Sequence, residues 1–149
     1  MNLKQIALIA CAALLVGCAT VTPLNTSSGK PELTVRGKTM DEVQAALVQM
    51  CQEEDMFLEE TQKFMVACSY ASSNLGIELV LGSNYNAKPQ VLIRFNTLPQ
   101  PDKSIRITAK GVASQTTPMS GTRRLELDGN YNHIIQGFLV KTGTILGVQ

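Results

Sequence analysis

The 149-residue chain has no tryptophan, only 5% aromatic residues and a single histidine, His133. Its charges nearly cancel, with 13 Lys and Arg against 12 Asp and Glu. A balanced, aromatic-poor chain leaves no footprint for nucleic acid, which normally needs a basic face. Tyr70, Tyr85 and Tyr131 do not interleave with bases as a stacking surface would. Phosphate-binding glycine loops, serine nucleophile elbows and zinc-protease motifs are missing. A general base needs a nucleophile or orienting acid beside it. His133 has only Asp128 and tyrosines near it in sequence, so it reads as a solvated or helix-capping residue. Glu53-Glu54-Asp55 lacks the Gly-centred loop of an EF-hand and reads as a charged helix end. No catalytic residue, metal site or cofactor is expected. A long hydrophobic run is missing too. Ile6 to Val16 is about half the ~20 residues a spanning helix needs.

That short run has a context. Lys4 precedes it, and Gly17-Cys18 follows it. A basic start, a short apolar core and a small-residue site are the parts of a secretory signal. Leu15-Val16-Gly17-Cys18 resembles the lipobox of bacterial lipoproteins, with aliphatic, small or aliphatic, Gly or Ala, then Cys. The resemblance covers the first eighteen residues. It implies cleavage before Cys18, a diacylglyceryl thioether on that cysteine and a further acyl chain on its amine. Each buried methylene of such chains adds about 0.8 kcal/mol, so several make a stable anchor. Ala19 resembles the outer-membrane default of lipoprotein sorting. Outer-membrane anchoring, at the periplasmic side or the cell surface, is therefore expected. The organisation expected is a signal peptide over 1–17, a lipidated flexible tether over 18–30 and one domain over 31–149. The tether is rich in Thr, Ser, Asn, Gly and Pro and has no apolar periodicity.

Four cysteines are present. Cys11 leaves with the signal and Cys18 takes lipid, which leaves Cys51 and Cys68. Two cysteines in an oxidising compartment suggest one disulfide. Closing so short a loop is worth about 3 kcal/mol in the chain-entropy model. Two buried free thiols are the alternative. Two cysteines and a distant His133 do not make a structural zinc set.

Charge is unevenly spread. Asp41, Glu42, Glu53, Glu54, Asp55, Glu59 and Glu60 fall in one stretch without a base. Lys88, Arg94, Lys103, Arg106, Lys110, Arg123 and Arg124 fall in another, with Asp102 the one acid among them. Either the two form solvated faces that attract each other, or they make a bipolar surface that orients the domain against a partner or anionic headgroups.

Glu32 to Arg36 alternates and predicts a strand with Leu33 and Val35 inward. Thr39 with Glu42 three residues later forms a capping box. Met40, Val43, Leu47, Met50 and Cys51 then follow at helical spacing, predicting a helix over 40–54. Met40 and Met50 read as core filler. Met56–Glu60 and Lys63–Tyr70 predict a hairpin around Thr61-Gln62, with Phe64, Val66 and Cys68 on one face. A Cys51–Cys68 bond would pin that strand to the helix. Further strands are predicted over Leu75–Leu81, Gln90–Thr97, Ser104–Val112 and Thr122–Asp128, and turns at Gly82-Ser83-Asn84 and Pro99–Asp102. In Ser104–Val112, Arg106, Thr108 and Lys110 form a wet face. Ser114–Gly121 reads as a polar loop. Asn84–Pro89 reads as a hairpin tip, with Tyr85 and Lys88 as a possible contact loop. A last helix starts after Asp128-Gly129, carries Tyr131, Ile134, Ile135, Phe138 and Leu139 on one face, is weakened by Gly137 and ends near Gly143. The tail Thr144–Gln149 is expected to dock in extended form.

This is an α+β chain. A curved antiparallel sheet of about five to seven strands carries two helices, in the order β-α-β(5-6)-α. The order resembles the helix-grip arrangement, which occurs in a lipoprotein subunit of the outer-membrane β-barrel assembly machine. Fold likeness transfers neither function nor sites. The functional expectation is a non-enzymatic envelope lipoprotein, an accessory or assembly factor with a protein partner at the membrane surface. A phage- or plasmid-encoded exclusion lipoprotein is a variant of it. The alternative is a lipoprotein that binds a small apolar ligand in a cavity of about 300 Å³ or more between helix and sheet. A cell-wall or lipid hydrolase is the third class. It would need an acid/base pair assembled from scattered carboxylates.

Overall fold

The computed structural model describes residues 23–74, 77, 80–81, 88–117 and 121–148. Cys18 and Tyr85 lie outside them, as do the leader and the turn at 82–84.

The capping box forms. The Thr39 hydroxyl accepts the Glu42 N–H at 3.2 Å, and the Glu42 carboxylate accepts the Thr39 N–H at 2.8 Å. Donation from the Thr39 main chain and hydroxyl holds the Glu42 carboxyl below its ordinary range. Helix α1 (Met40–Glu53) follows, with Val43, Ala46, Leu47, Met50 and Cys51 buried along one stripe. Asp41 and Glu42 favour its N-terminus through the helix dipole.

Six strands make one antiparallel sheet: β1 (Glu32–Val35), β2 (Phe57–Gln62), β3 (Met65–Ala71), β4 (Gln90–Pro99), β5 (Ile105–Thr117) and β6 (Gly121–Leu127). Their order is β1-β5-β4-β3-β2, and β6 also pairs with β5. β1 takes residues 105–108 of β5 and β6 takes residues 111–117, so the two lie end to end along one edge. Helix α2 (Asn130–Leu146) packs with α1 on one face of this sheet. The chain is thus α+β, in the expected order.

Alternation sorts the sheet residues. Val66 and Cys68 of β3, Val91, Ile93 and Phe95 of β4, and Ile105, Ile107 and Ala109 of β5 are buried beneath the helices. Gly111 lets α2 approach β5: a Cβ there would lie 2.9 Å from Ile135 Cδ1 and 3.2 Å from Leu127 Cδ1. Gln136 of α2 closes part of the β1 edge by bonding the main chain of Glu32.

Five local expectations are corrected. In the stretch expected as a strand over Leu75–Leu81, the described residues Ile77, Val80 and Leu81 are helical. Ile77 and Leu81 are buried four residues apart while Val80 is exposed, a helical period that also fits a short apolar run. The β2–β3 turn is Lys63-Phe64, not Thr61-Gln62. Phe64 therefore leaves the buried face, with the Lys63 amine 5.3 Å from its ring centre. Ser114–Thr117 continues β5 instead of forming a loop. Thr116 and Thr122 face each other there, hydroxyls 2.9 Å apart, and β-branched threonine suits a strand. Ile134 is exposed; the buried seam of α2 runs through Ile135, Leu139, Thr142, Gly143 and Leu146. Finally, α2 runs past Gly143 to Leu146, through half of the expected extended tail. Gly147, at φ 68°, ends it: its N–H bonds Thr144 O at 3.0 Å and the Val148 N–H bonds Gly143 O at 2.9 Å. That is a Schellman ending, which needs the left-handed residue after the helix rather than within it.

Candidate functional site

The helices cover one face of the sheet and leave the other open. Period-two alternation puts Arg94 of β4 and Lys110 of β5 on that outer face, directly opposite each other. Arg124 of β6 is opposite Ser114, on the same face. Arg94, Lys110 and Arg124 are exposed, and none makes an ion pair among the described residues. Like charges facing each other across a ladder destabilise a sheet. Leu92, Arg94, Val112, Ser114, Arg124 and Glu126 line an open trough of about 390 Å³ here. Its floor is aliphatic, its walls carry two guanidinium groups, and Glu126 is its one acid. A second hollow of about 140 Å³ lies where β1 and β6 meet along β5, lined in part by Lys30, Lys110, Glu126 and Asp128. Neither lies beneath the helices, where Phe95, Leu47 and Met50 fill the core.

The N-terminal segment joins the domain on the outer side. The Glu32 carboxylate accepts from Ser27 and Ser28 hydroxyls, the Ser28 N–H and the Arg106 guanidinium. Burial pushes its pKa up, but the donors from Ser27, Arg106 and Ser28 outweigh this and hold it at about 2. The last residues of the expected tether are thus ordered: Thr26 Oγ1 donates to Lys30 O at 2.7 Å, closing a turn over Glu32.

The acids gather elsewhere. Glu53 accepts from Gln49 at 2.9 Å and Glu54 pairs with Lys141 of α2, as groups at a helix end do. Glu59 and Glu60 lie on β2, which is the edge of the sheet away from β1 and β6. All six residues of β2 are exposed, including Phe57 at 70% and Leu58 at 47%. A register shift between Leu58 and Glu60 bulges this edge. Among the described residues, no ion pair joins the acidic stretch 41–60 to the basic stretch 88–124. The register nevertheless brings parts of both to one face: Glu60 lies opposite Ala67, which lies opposite Arg94, and the Glu59 carboxylate accepts from Ser69, opposite Leu92.

Cys51 of α1 and Cys68 of β3 are bonded, with Cα atoms 6.3 Å apart, and both are fully buried. Lys88 is exposed just before β4; its expected partner in a contact loop, Tyr85, lies outside the described residues. His133 is exposed near the start of α2. No group of three His, Cys, Asp or Glu among the described residues is placed to hold a metal ion, and no described helix is long and apolar enough to cross a membrane. Sequence reading grouped the bases but missed the trough. Its signal was the alternation of Arg94 and Arg124 with apolar neighbours; only the register brings the two to one trough. No family model matches the chain, and no match to a curated protein is found.

Proposed function

We propose that this chain is a non-enzymatic envelope lipoprotein, anchored in the outer membrane through lipid on Cys18, that serves as an accessory or assembly factor by binding a protein partner along β2. One observation carries the partner: an edge strand exposed along its whole length, with Phe57 and Leu58 uncovered and Glu59 and Glu60 beside them. An open edge can accept an added strand, with main-chain bonds for affinity and side-chain contacts for choice. Its bulge and acids discourage indiscriminate pairing and favour a cationic partner segment. The anchor rests on Leu15-Val16-Gly17-Cys18 and the apolar run before it.

Cross-linking and co-purification from native membranes, at native expression, tests this reading. One dominant protein partner is expected, lost in Cys18→Ser and reduced in a Phe57→Ser/Leu58→Ser variant. A chain that is recovered alone contradicts it.

A further inference from the structure

The open sheet face has an occupant that its chemistry selects. We propose that the outer face docks on anionic phosphate headgroups of the membrane surface, through Arg94, Lys110 and Arg124. This rests on the membrane anchoring proposed above and adds an orientation to it.

Three observations converge. First, the three cations lack ion-pair partners among the described residues, and Arg94 and Lys110 are held opposite each other at a cost in sheet stability. An anion shared between them would relieve that repulsion. Second, the trough between Arg94 and Arg124 has an aliphatic floor of Leu92 and Val112 with the Ser114 hydroxyl beside it. Guanidinium forks bind phosphate oxygens in pairs, and the apolar floor suits the glycerol end of a lipid headgroup. Third, the N-terminal segment reaches the domain against Glu32 and Arg106, on this same side. The eight peptide steps from Cys18 to Thr26 span at most about 28 Å when extended. A lipid on Cys18 therefore brings the membrane within reach of the outer face.

Trace acetylation of lysines, read by mass spectrometry, tests the docking. The full chain purified from membranes is reconstituted in phosphatidylcholine vesicles, with or without about one-third phosphatidylglycerol. Lys110 reports on the outer face and Lys141, on α2, serves as the reference. Relative to Lys141, Lys110 labelling should fall about fivefold with anionic lipid, because cations near such a surface are drawn to it. The protection should vanish in high salt, which screens exposed charges. An Arg94→Ser/Arg124→Ser chain should unfold in urea at the parent's midpoint, which shows that it is folded, and should show no protection of Lys110 on anionic vesicles. Equal Lys110 labelling on both vesicles overturns the proposal. So does protection that appears only when membrane proteins are added, since the occupant is then a protein. Flotation with neutral vesicles reports the anchor separately. A chain that fails to float there breaks the anchoring reading, while the Lys110 contrast still decides the face.

Discussion

The side chain of Gln136 meets the main chain of Glu32 as a neighbouring strand would. Its amide oxygen accepts the Glu32 N–H at 2.9 Å, and its amide nitrogen donates to Glu32 O at 3.0 Å. One α2 residue thereby satisfies both outward main-chain groups of an edge strand. Gln136→Leu should destabilise the domain by about 1–3 kcal/mol, because two partly buried groups lose their partners. Urea unfolding measures this; an unchanged midpoint would show that water replaces the amide at no cost.

Glu32 gives the domain a specific acid sensitivity. Its folded pKa, about 2, lies below its ordinary value of 4.5. Between those values the unfolded chain binds more protons, so folding stability rises with pH. The contribution is complete above the ordinary value and is lost as pH falls toward the folded one. Glu32→Gln should be less stable than the parent near neutrality. Its unfolding midpoint should also drop less between about pH 5 and pH 2.5. Parallel pH profiles for the two chains would remove Glu32 as the source.

The Cys51–Cys68 bond closes a short loop between α1 and β3, with a sequence separation of 17. Such a cross-link is worth about 3 kcal/mol in the chain-entropy model. Reduction under denaturing conditions should add the mass of two hydrogens. The Cys51→Ala/Cys68→Ala chain should unfold at lower urea than the parent. An unchanged mass on reduction would mean that both are free thiols.

Lys110→Glu places opposite charges across the β4–β5 ladder, facing Arg94. Cross-strand ion pairs contribute roughly 0.2–1 kcal/mol, so thermal stability should rise slightly. If the outer face docks on anionic headgroups, the same change should weaken that docking. A variant both more stable and poorer at binding would mark the like-charged pair as one kept for function.

Some of this was legible in sequence because local chemistry dictated it. Thr39 and Glu42 need only three residues of spacing to make their box, and α1 follows from its stripe. Ile105, Ile107 and Ala109 alternate with Arg106, Thr108 and Lys110, which marks a sheet with one face in water. Other features depend on context. Ile77 and Leu81 fit a strand or a helix equally in a short apolar run. The polar threonines of the β5–β6 ribbon carry no apolar alternation, although their β-branching favours strands. Gly143 looked like a helix stop, yet α2 continues through it; only the turn geometry at Gly147 ends the helix. The outer trough depends on register: Arg94, Val112 and Arg124 come together only once three strands are paired.

The lipid anchor proposed on Cys18 would show in the intact mass of the protein extracted from its native membrane. The expected species is a chain beginning at Cys18, with diacylglyceryl and acyl groups on that residue, and an unlipidated one in Cys18→Ser. A native chain that carries no lipid, or that begins at another residue, would contradict it.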